Sequence, residues 1–184
     1  MTGCDAADEP SGAVGGARYF DGVTMVWQEA RRQAAALRRQ FGTSSPYAIC
    51  SSLGIEVAEV RLPAGVSGLI VKERGEDARI FVDADNVEGR RRFTCAHELG
   101  HFVDRVNVAG DDDFSFRDER STRYDLHEFF ADEFAGELLM PGREFVSRYK
   151  ESPSVTALAA QFGVTAKAVE KRIVRLRKNP PEHD

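Results

Sequence analysis

The chain has no apolar run long enough to cross a bilayer. Its first sixteen residues are small, polar and Gly-rich, with neither a basic leading segment nor an apolar stretch behind one. That excludes a secretory signal peptide and predicts a disordered tail over residues 1–20. Cysteine is scarce. Cys4, Cys50 and Cys95 are too few and too scattered for a disulfide framework, which fits a reducing cytoplasm. Positive charge is outnumbered, and a net charge of −5 argues against bulk nucleic-acid binding. What remains is a 184-residue chain with 42% hydrophobic residues, enough for one globular core and a small appendage.

The hydrophobic pattern predicts an α+β protein. Val26, Trp27, Ala30, Ala34 and Leu37 form one stripe of a helix over about 24–41, with Arg31, Arg32, Arg38 and Arg39 on the solvated side. A short helix over Pro46–Leu53 ends at Gly54. Alternation then predicts strands over Ile55–Val60, Gly68–Lys72 and Arg79–Val82, the last two joined by a hairpin loop. The expected product is a small antiparallel three-stranded sheet packed on helices. Asp85 and Glu88 have the spacing of a capping box opening a helix to about Val106. Asn107–Arg120 reads as a surface loop, whose Asp111-Asp112-Asp113 lacks the spacing and glycine of a calcium loop. A further helix is expected over about 121–140, ended by Pro141. Ser154–Lys178 reads as helix, turn, helix, with Thr165 as a cap. Three regions follow: a tail (1–20), a main domain (21–150) and a C-terminal helical subdomain (151–184).

Phe93-Thr94-Cys95-Ala96-His97-Glu98-Leu99-Gly100-His101 carries the chemistry. On a helix His97 and His101 lie one turn apart on one face and can grip one metal ion, while Glu98 reaches a water beside it. Cys95, two residues before His97, points elsewhere and reads as a buried structural thiol. Gly100 leaves room for another element to approach. A zinc site of this kind needs a third protein ligand. The extension that supplies a third histidine in one protease class is absent, since Asp104 and Asn107 stand at its positions. Spacing leaves Glu119, Asp125, His127, Glu128 and Glu133 open.

Cys95-Ala96-His97-Glu98-Leu99-Gly100-His101, with Glu128-x-x-Ala131-Asp132-x-Phe134-Ala135-x-x-Leu138-Leu139-Met140-Pro141, resembles the ImmA/IrrE metallo-endopeptidases. Arg91-Arg92-Phe93-Thr94, Val66-Ser67-Gly68 and Leu158–Thr165 with Arg172 add to the likeness, which runs from about Ala48 to Leu176. The resemblance implies a zincin-like core with Glu128 as third ligand, as in gluzincins, and Zn²⁺ as the ion, with Mn²⁺ also compatible. Family members commonly carry Asn where this chain has Asp132. In gluzincins an acidic residue there holds the far ring nitrogen of a ligand histidine, and Asp132 matches that placement. Tyr124 and His127, near in sequence, are candidate donors to the developing oxyanion. The implied activity is cleavage of an XRE-type helix-turn-helix repressor controlling stress-response or mobile-element genes. The competing reading is a non-catalytic regulatory or toxin–antitoxin-like partner-binding protein, or a DNA-binding one that meets phosphate through Lys167, Lys171, Arg172, Arg175, Arg177 and Lys178 of the last helix. Basic helix ends also suit the helix dipole.

Overall fold

A computed structural model describes residues 22–109, 114–117 and 126–181. The expectations for residues 1–20, the acidic triplet, Glu119, Tyr124 and Asp125 lie outside them. In chain order the elements are α1 (Gly22–Phe41), α2 (Pro46–Ser52), β1 (Glu56–Val60), β2 (Gly68–Lys72), β3 (Arg79–Asp83) and α3 (Glu88–Val103). A π-helical turn (Asp104–Ala109) follows, then β4 (Phe114–Arg117), α4 (Leu126–Leu139), α5 (Gly142–Glu151), α6 (Val155–Phe162) and α7 (Ala166–Lys178). No helix among the described residues is long and apolar enough to cross a membrane.

The sheet corrects two expectations. It has four strands in the order β1-β3-β2-β4, and β1 runs parallel to β3. The β2–β3 hairpin is antiparallel as expected, pairing Gly68 with Val82 and Ile70 with Ile80. Alternation reveals which residues face inward but not which strand becomes a neighbour, so the parallel partner of β1 was not legible. β4 pairs antiparallel with β2, Ile70 opposite Phe116, within the stretch read as a loop. Four residues give too short a pattern to separate a strand from a polar loop.

One sheet face is dry. Ile70, Ile80 and Val82 are fully buried, and β2 and β3 pack against α3. The far side of α3 meets α4, which also packs on α1. Every residue of α3 from Thr94 to His101 is buried. Its polar residues therefore lie inside the fold, an expensive placement unless partners meet them.

The start of α3 differs from the capping-box reading. Val87 is the N-cap, without a side-chain cap bond, and Asp85 instead pairs with Arg61 at 3.0 Å. At the other end of the chain, Thr165 does cap α7, accepting from the Ala168 amide at 3.2 Å. Gly163 closes α6 with φ of 62°, and its carbonyl accepts from Arg92 of α3 at 3.4 Å. A Cβ on Gly89 would lie 2.8 Å from the Val164 carbonyl carbon, so the α6–α7 turn rests directly on the first turn of α3.

Candidate metal centre

Two glycines set the site. A Cβ on Gly100 would fall 2.9 Å from Ala131 Cα, so α3 and α4 meet at backbone distance there. Glu128 lies three residues before Ala131, on the same face of α4. Close approach at Gly100 therefore carries Glu128 to the level of His97 and His101. On the sheet side, a Cβ on Gly68 would lie 2.4 Å from Thr94 Cγ2 and 3.0 Å from Glu98 Oε1. Glycine at the head of β2 thus makes space for the fully buried Glu98 carboxylate.

His97, His101 and Glu128 converge, each offering one ligand atom within 4.8 Å of the others. His97 Nε2 and His101 Nε2 are 3.1 Å apart, and Glu128 oxygens stand 3.4 and 3.3 Å from them. Ligands about 2.0–2.1 Å from a tetrahedral zinc lie roughly 3.3 Å from one another. The three observed separations match that edge. The donor set, two imidazoles and a carboxylate, suits zinc and leaves a fourth position.

The electrostatics favour a cation. Burial disfavours a charged His97 ring, but hydrogen bonds to Asp132 and Glu128 outweigh it and hold its pKa well above the ordinary value. His101 is pushed down, by burial first, with Glu128 opposing. Glu128 sits far below the usual carboxylate range, because both histidines bond to it, His101 more strongly. These three side chains accept a proton between them where a metal ion would otherwise be shared.

Asp132 Oδ1 stands 3.3 Å from His97 Nδ1. A carboxylate only accepts, so Nδ1 carries a hydrogen, and Nε2 is the nitrogen turned toward the cluster, with a lone pair for an ion once the shared proton has left. His127 does not join the cluster through its Nδ1, which meets Asp104 Oδ2 at 2.5 Å. Glu133 faces away from the cluster and pairs with Arg31, Arg172 and Arg175.

Several partners were missed from sequence. Arg31 is 9% exposed and bonds Glu133 at 3.0 Å, where its place off the apolar stripe predicted a solvated side chain. Arg172 is 2% exposed, pairs with Glu137 and donates to the Met140 carbonyl at 3.1 Å. Arg175 reaches both Glu133 and Asp132 at 3.2 Å. Lys167, Lys171, Arg177 and Lys178 alone of the basic strip stay exposed. Cys95 is buried as read, yet is not isolated: its thiol, pushed up by contact with Cys50 and by burial, lies against that second buried cysteine on α2. Arginine runs and single cysteines carry no sequence signal of a distant partner.

No curated protein matches the chain. A solved Mycobacterium tuberculosis transcriptional regulator is similar in fold, with a TM-score of 0.53 and 22% identity. The alignment covers 81% of this chain and 46% of that one, so the chain spans under half the regulator's length. The profile of the IrrE N-terminal-like domain (Peptidase_M78) matches residues 50–174, which takes in α3, α4 and the cluster between them. The chain belongs to the IrrE N-terminal-like domain family of peptidases.

Proposed function

We infer that the protein is a zinc-dependent endopeptidase acting on a regulatory protein, with an XRE-type helix-turn-helix repressor as the substrate. The observation that carries the hydrolase reading is the set of three donor separations, 3.1, 3.3 and 3.4 Å, beside a buried glutamate. His97, His101 and Glu128 would hold the ion. Zinc, when bound, acidifies water and polarises a carbonyl. Glu98 is the general base that takes the proton from the attacking water and returns it to the leaving amine. Asp132 fixes the tautomer and direction of His97. His127, oriented by Asp104, is a donor candidate for the peptide oxygen. The choice of repressor rests on the resemblance to the ImmA/IrrE peptidases.

The test incubates purified protein with XRE-type helix-turn-helix repressors from the same genome. Cleavage should require metal, stop with chelator and return with zinc. Glu98→Gln should keep zinc and fold while losing cleavage by at least about 100-fold, the usual weight of a general base. Full cleavage by that variant would remove Glu98 from the chemistry. Zinc-loaded protein that binds the repressor without cutting it would favour the partner-binding reading.

A further inference from the structure

Beyond the cluster, three arginines and three carboxylates meet where α1, α4 and α7 pack: Arg31, Arg172, Arg175, Asp132, Glu133 and Glu137. Asp132 belongs to both this network and the metal centre. Its two oxygens are divided. Oδ1 meets His97 Nδ1 at 3.3 Å, and Oδ2 accepts from Arg175 Nη2 at 3.2 Å.

Arg175 is itself fixed on three sides. Its Nη1 donates to Glu133 Oε1 at 3.2 Å, and its guanidinium carbon lies 4.4 Å from the centre of the Phe129 ring. A guanidinium anchored this way directs the one Asp132 oxygen that it bonds. A small cavity of about 20 Å³, room for about one water, lies beside that carboxylate, lined among others by Phe93, Asp132, Lys171 and Arg175. Arg175, which is delivered from α7, the last helix described, therefore helps to set the orientation of Asp132 toward His97.

We propose that Arg175 is a positioning residue of the metal centre, acting through Asp132 on His97 and tying metal affinity to the seating of α7. The proposal rests on the metal-site reading above. Removing the guanidinium takes away one hold on the carboxylate and loosens the ring that presents Nε2. Loss of such outer partners typically weakens metal binding about 10–100-fold, and a residue one step further out belongs at the low end.

The experiment measures zinc dissociation constants by chelator competition and the visible absorption of the Co²⁺-loaded protein. The proteins are wild type, Arg175→Met, Arg175→Lys, Asp132→Ala, the Arg175→Met/Asp132→Ala double variant and Glu128→Ala. Arg175→Met should bind zinc about tenfold more weakly and shift the Co²⁺ bands. Arg175→Lys should recover part of the loss. In the Asp132→Ala background the Arg175 effect should vanish, because the two act in series. Unchanged zinc affinity in Arg175→Met, or an equal loss with Asp132 already removed, would overturn the proposal and leave Arg175 a packing residue. If Arg175→Met does not fold, Arg175→Gln is judged by the same two criteria. Zinc affinity unaffected by Glu128→Ala would overturn the metal-site reading together with this one. Zinc lost in Glu128→Ala but unchanged in Arg175→Met overturns this one alone.

Discussion

Glu128 shows what a single side chain contributes before any ion arrives. Its carboxylate lies between two imidazoles, which hold its pKa below the ordinary range. A carboxyl depressed on folding adds stability above its unfolded pKa of about 4.3, and that stability is lost as pH falls. In chelator, wild type should therefore melt higher than Glu128→Gln near neutrality, and the gap should close as pH drops below about 4. Thermal melts across that range decide it. A gap that stays constant would mean that the ionised carboxylate does not stabilise the metal-free fold. His97 works in the other direction. Its raised pKa stabilises the protonated folded state below the unfolded value, and that contribution is lost as pH rises through the folded one.

Between elements, the contact that matters is α3 against α4. Ala normally improves a helix interior over Gly by about 1 kcal/mol. Gly100→Ala should do the reverse, because the new methyl meets Ala131 backbone rather than a movable side chain. Overpacking of this kind costs about 1–3 kcal/mol, and it would move Glu128 away from the histidines. A lower Tm with weaker zinc binding is expected. A higher Tm would show that the helices separate freely. The sequence reading left a gap at Gly100 for an approaching element without saying which element would come. The answer, α4, depends on a contact between residues thirty-one positions apart.

For the whole molecule, α1, α4 and α7 are joined by charge inside a largely apolar interior. Arg172 is fully enclosed. Burial pulls its pKa down, while Glu137 and Glu133 oppose that shift. Breaking a buried pair by removing one partner costs about 3–5 kcal/mol, since the remaining charges lose their compensation. Arg172→Met should lower the urea midpoint accordingly. An exposed control, Arg177→Met, should change it little. Equal midpoints for Arg172→Met and wild type would show that the network contributes nothing net to folding. The same network accounts for the basic strip on α7 meeting less solvent than its charge suggests. Arg172 and Arg175 are engaged internally.

Local pattern alone determined the helices around the chemistry, the β2–β3 hairpin and the paired histidines, because periodicity and a short motif are written in neighbouring residues, whereas Glu128 as third member came only from the family resemblance. The parallel pairing of β1, the addition of β4 and the meeting of Cys50 with Cys95 were decided only by tertiary packing. So was the reach of Arg175 to Asp132 across forty-three residues of chain. The physical reason is that a charged or apolar residue declares what environment it needs, but not which distant group will supply it.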